Sequence, residues 1–588
     1  MCGIFVVHSK KGEKLSISKC LGASKELYNR GPDYLKYNFY NNRTIFILNT
    51  ILSITGKTKN NREIQKSQSS RYFISFNGEI YNYQFLSKKY LKNIKNHEDL
   101  NDTQVLVNLY DVLNNQKIPS LVNGMFAYAI FDRYHNKLIL NNDVQGEKNL
   151  YYFNNENFFI ASSTINAILK FLNNYSIDKE VIKNYFKTRH YMPLGQNSIK
   201  DVITFSPGTI SEYCLNKKKL STKTYEDPLN WIEEKKYNRF KKFSEEEAIE
   251  YLDYHLNEEA KLMIPETKFG CIVSGGIDSS LQSAIISKYK TPNKYFTIDH
   301  GSKDHIMREI ENFNAYFKKK IKKIKLYQKE YISLAKKCYK IVSSPLFTHD
   351  LPARLKISNY FKNENCKVFF SADGCDELFG GQQIYNIVFK GDYNYKINQS
   401  PYSSTFIEEN TKDKYQNNLI KFWKKTLNRY GFIKDKKERN IQSSLFMDYF
   451  VQSINVANRS NDLISCNNSV EPRNIFISKR IIKIILNLPL HYKLNLNREN
   501  IIMGQKKILK KIFSKYFDKK LIFKKAGFSG FPNSLKYKNN MYPLTRDMIG
   551  INQKKLYKYK KSYYDKKNFL RDMEWKLINT ENFLNAFK

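Results

Sequence analysis

At 588 residues with a hydrophobic fraction of 41%, the chain is too long for one core and too apolar for wholesale disorder, which leaves two to four globular domains. No apolar run reaches the ~18–20 residues of a membrane span, and Met1-Cys2-Gly3-Ile4-Phe5-Val6-Val7-His8 lacks the basic start and long apolar centre of a secretory signal, so a cytoplasmic protein without a membrane partner is expected. Eight scattered cysteines without metal or disulfide spacing disfavour structural zinc and a disulfide scaffold, and a net charge of +42 spread through the whole chain among asparagine, isoleucine and tyrosine reads as compositional bias, which argues against nucleic acid as a partner.

Cys2 opens the chain after the initiator methionine. Removal of Met1 before a small residue would leave Cys2 with a free α-amino group of pKa about 7.7–8.0, close to the thiol's ~8.5. The amine could then serve as the thiol's own general base. Arg30-Gly31-Pro32-Asp33 reads as a rigid turn, and Phe76-Asn77-Gly78-Glu79-Ile80-Tyr81-Asn82 as a strand running into a second turn. Asn77 and the Gly78 N–H could form an oxyanion hole, where one preorganised donor contributes ~3–4 kcal/mol to barrier lowering. Asn101-Asp102-Thr103 could place a carboxylate against a substrate's α-amino group. Each of these alone could be turn chemistry, since Asn-Gly is a common hairpin signal.

Residues 216–243 are lysine-rich and weakly periodic and contain Asp227-Pro228, so a linker is expected at 214–243. Ser244-Glu245-Glu246-Glu247 then starts a helix, with a capping serine and acids in the first turn. Residues 269–273 form an apolar strand, and the run after Ser279 has helical spacing. The turn between them, Ser274-Gly275-Gly276, lets backbone approach a ligand and presents helix N–H groups, which suits a phosphate or pyrophosphate. It is not a Walker A loop: that motif needs a glycine five residues before Gly-Lys-Ser/Thr, and the near-candidate Gly56-Lys57-Thr58 has Ile51 there.

Further strands are expected at 294–299 and 367–370, with a helix over 307–320 between them. The basic run 318–325 covers that helix's end and a following strand. Alternating strands and helices give a parallel sheet whose ligands sit at the carboxyl ends of the strands. Ser371-Ala372-Asp373-Gly374-Cys375-Asp376-Glu377 falls at such an end, and three acids in five residues favour a Mg²⁺ ion with oxygen ligands. Residues 385–449 are rich in asparagine, lysine and tyrosine and read as an inserted surface loop. The basic, tyrosine-rich stretch 557–567 has no evident role.

Ser-Gly-Gly-x-Asp-Ser at 274–279 resembles the PP-loop of ATP pyrophosphatases, which split ATP between the α- and β-phosphates to adenylylate an oxygen. Met-Cys-Gly-Ile-Phe, Arg-Gly-Pro-Asp, Asn-Gly-Glu-Ile-Tyr-Asn and Gly124-Met125-Phe126-Ala127-Tyr128-Ala129-Ile130-Phe131-Asp132 resemble, in that order, the glutaminase domain of the N-terminal-nucleophile amidotransferases. With Val470-Glu471-Pro472-Arg473, Lys506-Lys507-Ile508-Leu509 and Lys525-Ala526-Gly527-Phe528-Ser529 downstream, the whole chain resembles the glutamine-hydrolysing asparagine synthetase family.

The resemblance implies an α+β, four-layer αββα sandwich over 2–213, which the runs Leu138-Ile139-Leu140 and Phe158-Phe159-Ile160-Ala161 fit as buried strands. An α/β parallel-sheet synthetase domain with a helical C-terminal part follows over 244–588. It implies catalysis by Cys2, Asn77, Gly78, Asp373 and Lys525. Glutamine would meet Ile51, Leu52, Ser53, Ile54, Thr55, Asn77, Gly78, Glu79 and Asp102. ATP would meet Val273, Ser274, Gly275, Gly276, Asp278, Ser279, Ile298, Ser371, Ala372 and Gly374, with Mg²⁺ on Asp278 and Asp376. The substrates implied are glutamine, aspartate and ATP, possible pairing into a homodimer is a family trait, and a confined ammonia passage implies an apolar interface between the domains.

Departures from the family pattern matter. Ile51 stands where the family has an arginine that would clamp the glutamine carboxylate. Asp373 is one methylene shorter than the family's glutamate, Asn142-Asp143-Val144-Gln145-Gly146 replaces Arg-Asp-x-x-Gly, Ile475-Phe476-Ile477-Ser478 replaces Pro-Phe-Leu-Asp, and Asn149 replaces a proline. Three alternatives therefore stay open: a synthetase fed mainly by ammonia, a PP-loop enzyme acting on tRNA, and a non-catalytic relic.

Overall fold

A computed structural model describes residues 2–55, 63–113, 115–187, 195–299, 305–381, 414–495, 504–522, 542–549 and 567–588. The strands Gly3–Ser9 and Gly124–Asp132 are buried at every residue. Side chains of a strand alternate between faces, so the sheets that hold these two strands are covered on both sides.

Two antiparallel six-stranded sheets build the first half. One runs, edge to edge, Val202–Thr204, Tyr151–Asn154, Phe158–Ser162, Gly3–Ser9, Ile45–Ile51, Tyr34–Tyr40; the other runs Lys219–Thr224, Thr209–Cys214, Lys137–Asn142, Gly124–Asp132, Tyr72–Ile80, Gln65–Lys66. Ile4, Val6 and Ile47 of the first share a core with Ala129, Phe131 and Leu140 of the second. The alternate residues Phe5, Val7 and Leu48 pack on the helices Ile17–Ser24 and Ile165–Leu172, while Ile74, Phe76 and Ile130 pack on Asp102–Val112. Asn49 stitches the sheets together: its Nδ2 donates to the carbonyls of Gly3 and Phe76, both at 3.0 Å, and its Oδ1 accepts from the Phe76 N–H at 3.2 Å.

The second half is built on a five-stranded, wholly parallel sheet in the order Ile321–Lys325, Lys294–Asp299, Phe269–Ile272, Val368–Phe370, Glu471–Arg473. Helix Glu245–Met263 leads into it, capped as expected by Ser244, whose side chain and that of Glu247 exchange hydrogen bonds with each other's backbone. Helices including Arg459–Cys466, Lys479–Asn487 and Lys567–Ala586 complete this half. None of the described helices is long and apolar enough to cross a membrane.

Two expectations need correction. The stretch set aside as a linker, 214–243, is ordered: Lys219–Thr224 closes one edge of the second sheet, and helix Glu234–Lys241 buries Tyr237 and Phe240. The inserted surface loop is likewise not one over its described part. Residues 414–449 form helices Lys414–Arg429 and Lys436–Asp448, with Tyr430, Ile441 and Phe446 fully buried. Apolar positions three to four residues apart make these helices, and Lys421, Lys424, Lys425, Lys436 and Lys437 are exposed. Residues 385–413 and 557–566 lie outside the described residues.

Candidate active sites

Cys2 sits at the head of the strand Gly3–Ser9, buried, with its backbone nitrogen donating to Asn77 Oδ1 at 3.1 Å. Burial pushes its thiol pKa up, and the neighbouring terminal amine pulls against that. Asn77 comes from the adjoining sheet, so the Asn49 stitch sets the distance between nucleophile and amide. The Asn77 Nδ2 is buried and has no hydrogen-bond partner among the described residues. A buried donor left unpaired costs about 1–3 kcal/mol, which an incoming oxygen would recover. Gly78 follows with φ +147°, and a Cβ there would collide with the Met125 carbonyl.

Asp102 stands in the first turn of its helix, where its charge acts on the Cys2 thiol. One oxygen accepts the Ile80 N–H at 3.2 Å and the other the Thr103 N–H at 2.7 Å. Burial outweighs these bonds and pushes its pKa up to about 6. Thr55 donates to Glu79 Oε1 at 2.9 Å, and the other Glu79 oxygen meets Arg473 of the second half. Burial pushes Glu79 up, with Arg473 opposing. Leu52 and Ile54 are buried in the second half's core, and the Ser53 N–H donates to Asp33 at 2.9 Å. Ile51, half-buried, ends the strand Ile45–Ile51 and brings no charge to the pocket.

The second cluster lies where the parallel strands end. Gly275 turns with φ +79°, and Ser274 and Ser279 knit the loop: the Ser279 hydroxyl lies 3.0 Å from the Ser274 hydroxyl and accepts the Ser274 N–H at 3.1 Å. Helix Ile277–Ser287 begins directly after Gly276. Asp278 and Asp376 meet over one ammonium, that of Lys506, which reaches between them because Gly381 has no side chain to block it. Burial would lower the Lys506 pKa, but the two carboxylates hold it well above the usual lysine range. Asp278 Oδ1 is buried and without a hydrogen-bond partner among the described residues. Two carboxylates already gathered around a cation, with an oxygen to spare, fit a hard ion that takes one or two carboxylates plus phosphate oxygens. No group of three or more His, Cys, Asp or Glu able to hold a metal occurs among the described residues.

Asp373 lies across from this pair and is fully engaged. Arg354 grips it with two nitrogens, one at 2.9 Å, while Ser371 Oγ donates at 2.8 Å and Asn461 Nδ2 at 2.9 Å. Asn474 donates to its carbonyl. Gly374 takes φ +79° to start the short helix Cys375–Phe379. Val273 and Ile298, expected at the adenine, are buried with their side chains in two different cores. Ala372 is half-buried and packs on one of these cores. Lys525 lies outside the described residues. Arg354, Asn461 and Asn474 were not foreseen, and no local pattern ties them to Asp373 across up to 101 residues of chain.

The halves meet through buried charge. Arg30 donates to the Cys2 carbonyl at 3.2 Å and to Asp462 at 2.9 Å, with both side chains almost wholly buried. Lys148 lies 3.6 Å from Asp462 and 3.5 Å from Glu471, and Glu471 pairs with Arg473 at 3.0 Å. The apolar contact expected between the domains is present beside these ions: Leu52, Ile54 and Val144 join the second half's core on one side, and on the other Ile168, Val181, Ile182 and Tyr185 share one core with Phe347, Leu577 and Phe583.

Residues 1–226 match the glutamine amidotransferase domain family, and residues 259–576 match the asparagine synthase family. The chain is 25% identical over 395 residues to asparagine synthetase (glutamine-hydrolyzing) of Rattus norvegicus, covering 65% of this chain and 66% of the rat protein. It is 25% identical over 367 residues to asparagine synthetase (glutamine-hydrolyzing) 1 of Bacillus subtilis, covering 61% and 55%. A provisionally named asparagine synthetase (glutamine-hydrolyzing) 1 of Methanocaldococcus jannaschii is 26% identical over 425 residues, covering 71% and 65%. The chain therefore spans less than two thirds of the length of each of these three relatives. Among solved structures, a B. subtilis glutamine phosphoribosylpyrophosphate amidotransferase superimposes with a TM-score of only 0.30 at 10% identity, over 55% of this chain and 81% of that one.

Proposed function

The chain belongs to the asparagine synthase family, and from that premise we propose that it converts aspartate to asparagine at the expense of ATP, using nitrogen freed from glutamine at Cys2. One observation carries the reading. Arg30 touches the Cys2 carbonyl and pairs with Asp462, while Asn461, the next residue back, donates to Asp373. A nucleophile at a chain start and an acid at a strand end are tied to one buried wall.

In this reading the first half is the four-layer αββα sandwich of the N-terminal-nucleophile hydrolases. Cys2 Sγ attacks the side-chain amide carbon of glutamine, and the oxyanion is met by Asn77 Nδ2 and the Gly78 N–H. Ammonia leaves, and water hydrolyses the glutamyl thioester to glutamate. Asp102 and Glu79 receive the glutamine α-ammonium. In the second half the β-carboxylate of aspartate attacks the α-phosphorus of ATP. The loop Ser274-Gly275-Gly276 with the following helix N-terminus, Asp278 and Ser279 receives the pyrophosphate. Ser371, Ala372 and Gly374 border the nucleotide, and Val273 and Ile298 flank its base. Asp278 and Asp376 are the residues that would hold Mg²⁺, which supplies positive charge to the phosphate oxygens. Lys525 would neutralise charge on the acyl-adenylate. Ammonia attacks the β-aspartyl-AMP carbon and AMP leaves, a route that makes a poor electrophile, the carboxylate, reactive.

Ile51 favours a second reading, in which glutamine binds weakly and external ammonia is the main donor. The test is ¹⁵N tracing from amide-labelled glutamine into asparagine, with the intact chain and with Cys2→Ala. Label in the first and not the second supports the main reading. Asparagine made from ammonium alone, with no label from glutamine in either, selects the ammonia-fed one. Absence of AMP and asparagine with Mg-ATP, aspartate and ammonium sinks both.

A further inference from the structure

Between the two halves lies a cavity of about 20 Å³, room for one water-sized molecule. Glu147 and Lys148 line it from the first half; Ser371, Asp373, Asn461 and Arg473 line it from the second. Nearly every charged group in that wall is committed. Asp373 is held by Arg354, Ser371 and Asn461, and Arg473 is held between Glu79 and Glu471. Lys148 faces Asp462 and Glu471.

Glu147 is the exception. Its backbone N–H donates to Asp143 Oδ1 at 2.9 Å, which fixes the turn that carries it. Its carboxylate makes no hydrogen bond or ion pair among the described residues. Burial, and then the negative charge of Asp143, push its pKa well above the usual carboxylate range, with Lys148 opposing and Glu471 and Asp462 adding to the rise. Tyr81 and Tyr449 also sense its charge. The group is therefore a carboxylate that takes up a proton readily, facing a space the size of the nitrogen species that has to cross.

That species carries a chemical difficulty. At neutral pH it is mostly ammonium, which has no lone pair and cannot attack a carbonyl. An apolar passage solves this by excluding the cation; the wall of this cavity is charged instead, and a cation can be held there only beside a carboxylate able to pair with it. Asp373 is one methylene shorter than the family's glutamate, and its oxygens are already held by Arg354, Ser371 and Asn461.

We propose that Glu147 binds ammonium in this cavity and deprotonates it for attack on the activated acyl group, an assignment that rests on the amidation reading above. One N–H bond of ammonium breaks, its electron pair stays on nitrogen, and the proton passes to the Glu147 carboxylate. The ammonia so formed bonds to the acyl carbon, the nitrogen gives its second proton to the departing AMP phosphate as the bond to AMP breaks, and Glu147 returns its own proton to water before the next turnover.

The test follows asparagine formed per AMP released, with ammonium as donor, from neutral to alkaline pH, for the intact chain, Glu147→Gln and Glu147→Asp. Glu147→Gln, which keeps the shape but cannot take the proton, lowers the ratio about 10²-fold at neutral pH. The loss shrinks as pH rises and free ammonia becomes abundant; Glu147→Asp, which keeps the carboxylate, falls between the two. A purely structural role would leave the shape of the pH profile unmoved. If Glu147→Gln or, should that variant not fold, Glu147→Asp gives the same ratio and the same profile as the intact chain, the inference is overturned while the amidation reading stands. If the intact chain itself releases no AMP with aspartate and ammonium, both fall together.

Discussion

At the level of single residues, Asp102 shows how burial sets a working range. Its pKa of about 6 arises because the helix start that holds it is sealed from water, and the Ile80 and Thr103 N–H groups only partly offset that. A carboxylate raised in the folded chain binds its proton more tightly there than when unfolded. Its favourable contribution to stability is thus full below the unfolded value of about 4 and is lost as pH rises through about 6. For glutamine the sense is opposite, since only the ionised form attracts an α-ammonium. The KM for glutamine is expected to rise as pH falls through about 6, while Asp102→Asn gives a high KM that no longer varies there; steady-state glutaminase kinetics at several pH values decide it. Gly78 belongs to the same scale, since only a residue without a Cβ passes the Met125 carbonyl.

At the level of elements, the helix Lys436–Asp448 is the clearest departure from what the composition suggested. Its lysines, asparagine and glutamine hide an apolar face that reaches the core through Ile441, Leu445 and Phe446. If that face supports the parallel sheet, Phe446→Ala costs about 3–5 kcal/mol, read by urea unfolding followed through the second half. A loss under about 1 kcal/mol, as at an exposed loop site, would return the segment to the surface. The loop at Ser274-Gly275-Gly276 is the contrary case. Its strand, turn and helix were all expected from neighbours in sequence, and the Ser274–Ser279 bonds that rigidify it are five residues apart.

At the level of the whole molecule, the seam between halves holds a set of buried ion pairs beside its apolar patches. Arg30 and Asp462 are 432 residues apart in sequence and 2.9 Å apart in the fold. Removing one member of a buried pair strands the other charge, so Arg30→Met is expected to cost about 3–5 kcal/mol. Arg30→Met with Asp462→Leu recovers most of that, because no charge is then left uncompensated. A double-mutant cycle by thermal unfolding checks this, and additive losses would mean that the pair is not coupled.

What sequence determined by itself is local in kind. The turn that presents backbone N–H groups, the cap at Ser244, the buried runs at 138–140 and 158–161, and the alternation of strands and helices in the second half each follow from residues a few positions apart, whereas Cys2, Asn77, Gly78 and Asp102 were grouped by the family resemblance alone. The tertiary structure alone decided which charges meet: Lys506 between Asp278 and Asp376, Arg354 on Asp373, Arg473 on Glu79, and Glu147 at the cavity with no hydrogen bond to its carboxylate among the described residues. Charged groups carry no periodic signal, because their energies depend on distance and burial in three dimensions rather than on spacing along the chain. Hence the buried ions of the seam, unlike the apolar patches beside them, left no mark in the sequence.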